Sequence, residues 1–118
     1  MVLHLEKVNG KNIWEITKLQ VSESQKGFVA ANDVSIVEAY TTITANGCAF
    51  PFGIYDGEIP VGFIMISYDV VDYWDNAPDI ARGNYSLCRL MIDQKYQKKG
   101  FGREAIALGL NFIKFFSL

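Results

Sequence analysis

At 118 residues, half of them apolar, the chain has the length of one domain and enough apolar side chains for a core of modest size. Eleven Lys and Arg against thirteen Asp and Glu leave a net charge of −2, which argues against a global nucleic-acid footprint. No apolar run approaches a membrane span, because Asp56, Glu58 and Pro60 interrupt the apolar middle. Met1 to Glu6 lacks the long apolar segment of a signal peptide, so a reducing cytoplasm is the expected compartment.

Val2 to Val8 reads as a first strand, with Leu3 and Leu5 alternating against His4 and Glu6. Asn9 is a candidate N-cap for a helix whose apolar stripe is Ile13, Ile16 and Leu19. Residues 21–33 are mixed in character and read as loop or short helical turns. Ser35-Ile36-Val37-Glu38 has capping-box spacing, with Val34 and Ala39 as its staple, and predicts a second helix ending near Asn46-Gly47. Ala49 to Tyr55 and Pro60 to Tyr68 are β-rich runs joined at Asp56-Gly57, a hairpin signal. A long polar loop, 69–84, closes at Gly83-Asn84. Tyr85 to Ile92 is the next strand, and a helical pattern from Arg103 to Phe116 follows. The order is β-α-α-β-β-β-α, without internal repeats. Cys48 and Cys88 lie on apolar, strand-like runs and read as buried free thiols or, alternatively, a disulfide. His4, the only histidine, reads as structural or surface, and no His/Cys/Asp grouping has metal spacing.

The stretch Gln97-Lys98-Lys99-Gly100-Phe101-Gly102 stands between that last strand and that last helix. The first N–H groups of a helix have no intrahelical acceptor, and the helix dipole adds positive potential there. Gly100 and Gly102 lack a Cβ, so a phosphate can approach the backbone. Lys95, Lys98, Lys99 and Arg103 surround the turn, with no acid between Gln94 and Arg103. This pattern predicts a pyrophosphate cradle. A P-loop is excluded because G-x-x-x-x-G-K-[ST] does not occur. Gly100, Gly102 and Ala105 match the dinucleotide spacing, but several residues separate Ile92 from Gly100, and no acid follows Glu104 to hold a ribose.

Gln97, Gly100 and Gly102 fit Q/R-x-x-G-x-G/A, with Met91-Ile92-Asp93 and Tyr96 as lead-in. This resembles the acetyl-CoA motif of the GNAT superfamily of N-acetyltransferases. Residues 23–29, Ser35 to Tyr40, 51–57 and Arg89 to Asp93 resemble the bacterial spermine/spermidine branch, and the likeness runs from about residue 3 to about residue 114. The resemblance implies one acetyltransferase domain over 1–118 with a mixed α/β (α+β), mainly antiparallel sheet flanked by helices. It implies acetyl-CoA as co-substrate and a small amine such as a polyamine as acceptor; the charge, the apolar runs and the residue spacing read above add the expectation of no nucleic acid, membrane or metal as partner. It also implies that backbone near Leu90, Met91 and Ile92 pairs with pantetheine, while Gln97, Lys98, Lys99, Gly100, Phe101, Gly102 and Arg103 hold the pyrophosphate.

The family's fold continues with further strands, so the chain reads as C-terminally truncated. That leaves the edge of the Tyr85–Ile92 strand open and Leu110, Ile113 and Phe116 without their usual cover, an edge a second copy could close. Transfer is direct, so Cys88 need not act as nucleophile. Tyr68, Tyr85 and Tyr96 do not occupy the place of the family's thiolate-protonating tyrosine, and the general acid stays unassigned. Glu23 is a candidate for amine binding or proton relay, or else a solvated loop acid. Asp69, Asp72, Asp75 and Asp79 face only Arg82 and interleave with Tyr68, Tyr73 and Trp74, which suits a polycation; a solvated acidic loop is the plain alternative. Asp72 and Asp75 are the substrate-side candidates of that loop. Phe28, Trp14, Tyr40 and Phe52 read as core first, and Phe28 is kept as a further substrate-side candidate. A CoA-binding or assembly module without turnover is the competing function.

Overall fold

The computed structural model describes residues 2–22, 32–74 and 77–116. Four strands, β1 (Leu3–Lys7), β2 (Cys48–Asp56), β3 (Ile59–Tyr68) and β4 (Tyr85–Ile92), form one sheet in the order β1-β2-β3-β4. Every pairing is antiparallel. Helices α1 (Ile13–Thr17) and α2 (Asn32–Thr44) cover one face, and α3 (Phe101–Phe116) covers the other. The expected element order and mixed α/β class are therefore found, and β4 stands at a sheet edge.

Strand alternation sorts two cores. Phe52, Ile54, Ile64 and Ile66 face α3 and meet Phe101 and Ala105, with Leu108, Phe112 and Ile113 packed alongside. Phe63, Met65 and Met91 face the other way and meet Ile16 and Ala39. Side chains two residues apart share a face, so consecutive residues of β3 serve opposite layers. Asp56-Gly57 turns the β2–β3 hairpin with Gly57 at φ +63°, as the dipeptide predicts. α2 stops where expected: Asn46 takes φ +72°, and the Gly47 N–H donates to the Thr42 carbonyl at 2.8 Å.

Several expectations are corrected. Ser35 does not cap α2, because the helix already runs from Asn32, so Ser35 is buried inside it. Glu38 therefore has no box to close and pairs instead with Arg89 on β4 at 2.7 Å. The Val34–Ala39 staple fails too, since Val34 is exposed and Ala39 is buried. The buried face of α2 is Asn32, Ser35, Ala39 and Thr42, small or polar side chains that let the helix approach the sheet closely. Asn9 does not cap α1. Its side chain accepts from the Lys11 and Asn12 N–H groups and closes a turn ahead of a shorter helix. Trp14 and Tyr40 are exposed at 71% and 68%, so neither is core, whereas Phe52 is buried. Cys48 is exposed and Cys88 half-buried, both free. Leu110 and Phe116 are largely exposed on α3, while Ile113 packs into the core.

Candidate functional site

The junction between β4 and α3 is built by side chain-to-backbone bonds. Asp93, buried at the end of β4, accepts from the Lys95 N–H at 3.1 Å and thereby caps a 3-10 turn, Gln94–Tyr96. Its other oxygen accepts from the Gln20 N–H at 2.9 Å, and the Gln20 carbonyl accepts from the Gln94 N–H at 2.8 Å. One carboxylate thus joins the segment after α1 to the turn, and brings Val21 opposite β4. Gln97 folds back, donating from Nε2 to the Ile92 carbonyl at 2.9 Å. The chain then reverses through Lys98 at φ +66° and Gly100 at φ +81° before entering α3. The left-handed region is cheap only for glycine, so Gly100 carries a conformational reason beyond close approach.

The result is a cleft of about 450 Å³ lined by Val21, Leu90, Met91, Ile92, Tyr96, Gln97, Lys98, Gly100, Phe101 and Gly102. All the sequence-predicted cofactor residues except Lys99 and Arg103 line it. Those two are exposed, and the Lys99 ammonium lies 5.8 Å from the Tyr96 ring centroid. A Cβ on Gly100 would meet nothing within 4 Å, and one on Gly102 only Ile92 Cγ1 at 4.0 Å. Both glycines therefore border open space at the helix start, where unpaired N–H groups and the dipole favour an anion.

A second cavity of about 480 Å³ opens on the α2 side of the same strand. Between Met65 and Ile66 the register slips, leaving Cys88 as an extra residue on β4. Leu87, Cys88 and Arg89 line this cavity together with Glu38 and Thr41 of α2, Ser67 of β3, and Tyr73 and Trp74 of the loop. Arg89 donates to Glu38 Oε1 at 2.7 Å and lies 5.6 Å from the Trp74 ring centroid, while Trp74 Nε1 donates to Thr42 Oγ1 at 2.8 Å. Burial pushes the Cys88 thiol above its usual range, with the Ser67 hydroxyl and Arg89 opposing the shift. The thiol donates to the Met65 carbonyl at 3.3 Å.

Glu23, Phe28 and Asp75 lie outside the described residues. Asp72 sits on the exposed loop, 3.4 Å from Arg82, and Asp69 accepts from the Gly83 N–H at 2.8 Å. Tyr73 and Trp74, singled out as interleaved aromatics, do line the cavity, whereas Asp72 does not. The Glu38–Arg89 pair was missed. Its members lie 51 residues apart, and the Ser35–Glu38 spacing offered a local explanation for Glu38. No group of three His, Cys, Asp or Glu among the described residues could hold a metal ion, and no described helix is long and apolar enough to cross a membrane.

The family model for the acetyltransferase (GNAT) family matches residues 10–114. The chain is also similar to a spermine/spermidine N(1)-acetyltransferase of Bacillus subtilis (strain 168), at 29% identity over 109 residues, which is 90% of this chain and 64% of that protein. It thus spans less than two thirds of that relative's length. The family match takes in both cavities, the glycine turn and all of β4, and with a sheet and helices in the family's arrangement the chain belongs to the acetyltransferase (GNAT) family.

Proposed function

We propose that this chain is a single acetyltransferase domain that moves an acetyl group directly from acetyl-CoA to a primary amine, with a polyamine as the acceptor class. Members of its family are acetyl-CoA-dependent N-acetyltransferases. The observation that carries the reading is the pair of cavities on successive stretches of one strand: Leu90 to Ile92 line the glycine-turn cleft, and Leu87 to Arg89 line the other. A cofactor held by its pyrophosphate at Gly100 and Gly102, with Lys98, Lys99 and Arg103 around it, and by its pantetheine along Leu90 to Ile92, delivers its acyl end toward the second cavity.

Proximity is then the main catalytic device, and no enzyme nucleophile is needed. The amine attacks in its neutral form, the carbonyl oxygen gains negative charge that a backbone N–H can meet, and the leaving thiolate takes up a proton. Glu23 remains a candidate for amine binding or relay. Support for a polyamine comes from the relative's name and from Asp69, Asp72 and Asp79, which neighbour the lining residues Val70, Tyr73 and Pro78 along the chain. Two free thiols fit a reducing cytoplasm. The edge of β4, unpaired among the described residues, is together with exposed Leu110 the surface proposed for a second copy, and a light-scattering mass of one chain would rule that contact out.

The test is calorimetry with CoA and acetyl-CoA, followed by an acetylation assay with spermidine. Saturable binding with turnover supports the reading, and no binding at millimolar concentration removes it. A CoA-binding module without turnover is the second reading. The observation favouring it is that β4 has no neighbour beyond β3 among the described residues, so the glycine-turn cleft is open along one side. Binding without turnover selects it.

A further inference from the structure

The second cavity holds a cation already, and that cation belongs to the protein. Among the described residues lining it, Glu38 is the only acid and Arg89 the only base. The Arg89 guanidinium lies over the Trp74 ring, 5.6 Å from its centroid, and donates to Glu38 Oε1 at 2.7 Å. A carboxylate beside an indole face is a general recognition unit for an ammonium group, combining a charge-assisted hydrogen bond with a cation–π contact.

Arg89 fills that unit imperfectly. One terminal nitrogen donates to the carbonyl of its own neighbour, Cys88, at 2.9 Å, and among the described residues no acceptor reaches its buried Nε. A buried N–H without a partner carries a desolvation cost, so Arg89 is held in the cavity less firmly than a fully bonded arginine would be. Its side chain is one quarter exposed, which leaves a route for the guanidinium to solvent. Trp74, by contrast, is fixed from behind by its bond to Thr42. With Arg89 in place the described lining is charge-balanced. With Arg89 swung out, it carries the net negative charge of Glu38 against a rigid aromatic wall.

We propose that Glu38 and Trp74 form an ammonium-binding subsite for the non-reacting end of an alkyl diamine or polyamine, occupied in the free protein by the Arg89 side chain as an internal stand-in. The proposal rests on the acetyltransferase reading for the role of the cavity, and it deepens that reading by naming the groups that select the acceptor. It places the distal ammonium between α2 and the 69–84 loop, while the reacting amine lies nearer the bulge at Cys88, where β4 passes from one cavity to the other. The internal cation sets a threshold. A substrate gains only the difference between its own fit and that of Arg89, which is tethered at high effective concentration.

Three amines of matched chain length separate the possibilities: 1,4-diaminobutane, butylamine and 4-aminobutyrate. Trp14 and Trp74 are the only tryptophans, so in a Trp14→Phe background the fluorescence reports on Trp74 alone. Titration should show the diamine binding at least about fivefold tighter than butylamine. Glu38→Gln should weaken diamine binding at least about fivefold. Arg89→Met, which keeps Glu38 and removes the competitor, should tighten the diamine several-fold, and it keeps the proposal testable if Glu38→Gln fails to fold. Steady-state kinetics should place the Glu38→Gln effect in KM for the diamine with kcat held; a merely structural role would lower kcat as well.

The proposal is overturned if the diamine and butylamine bind alike in the parent protein, or if neither binds at millimolar concentration. It is also overturned if 4-aminobutyrate binds best and loses affinity in Arg89→Met, which would make Arg89 a carboxylate anchor. Because the titration needs no cofactor, diamine binding in a protein that fails to bind CoA would remove the acetyltransferase reading and leave the subsite standing.

Discussion

The backbone N–H of Leu3, the first residue of β1, donates to the Oε2 of Glu104 in the first turn of α3 at 2.7 Å. These residues stand 101 positions apart, and their bond fixes the start of the helix that carries the glycine turn onto the far edge of the sheet from β4. Leu3 is buried, so removing its acceptor leaves a poorly solvated N–H. Glu104→Ala should lower unfolding free energy by about 1–3 kcal/mol, and Glu104→Gln, which keeps a carbonyl acceptor, by less. Urea denaturation of the two variants measures the difference. Equal losses would place the contribution in the charge rather than the hydrogen bond.

Gly100 and Gly102 should respond differently to a methyl group. At Gly100, φ is +81°, and an alanine there costs about 1–2 kcal/mol of backbone strain. At Gly102 the added Cβ clashes with nothing, and alanine's helix propensity offsets any loss, so stability should hold or rise by up to ~1 kcal/mol. That same Cβ projects into the space proposed for phosphate, and CoA affinity should fall about tenfold, equivalent to about 1.4 kcal/mol. Thermal melts and calorimetry on Gly102→Ala test both signs at once. A variant that is stable and binds CoA normally would remove the close-approach argument.

Tyr55 has its hydroxyl proton held by burial, with the Glu15 carboxylate adding to the effect, and its pKa is raised to about 12 from 10.0. The folded protein keeps that proton where the unfolded chain releases it. The stability this provides is whole below pH 10 and disappears as pH climbs toward about 12. Urea midpoints between pH 9 and 12 should fall more steeply for the parent protein than for Tyr55→Phe. Parallel curves would show that Tyr55 is not the linked group.

The two thiols should separate kinetically. Cys48 is exposed at the start of β2, whereas Cys88 is half-buried with a thiol pushed above its ordinary range. The thiolate is the reactive form, so a neutral alkylating reagent at pH 8 should modify Cys48 well ahead of Cys88. Peptide mass spectrometry over a time course reads the order. Under the proposed direct transfer, which does not use the thiol, mutation of Cys88 to Ser should leave amine acetylation in place.

What the sequence determined by itself was mostly local. Asp56-Gly57 set the hairpin because only a few residues tolerate its backbone angles. Asn46-Gly47 ended α2 for the same reason. The strand, glycine turn and helix around Gly100 were also legible, since a turn and a helix start need no distant residue to form. Where side chains choose between partners, tertiary structure decided. Ser35 and Glu38 carry a helix-start spacing, yet the helix begins earlier and Glu38 is drawn to Arg89 across the sheet. The faces of α2 were illegible for a related reason. Its exposed side includes Val34, Val37 and Tyr40, and its buried side is small and polar, because closeness to the sheet outweighs hydrophobicity there. The second cavity was invisible from the pattern of residues, since it exists only where α2, β3, the loop after β3 and the bulge at Cys88 on β4 meet. A motif can describe one turn of chain, but a pocket with walls from four segments requires the fold that assembles them.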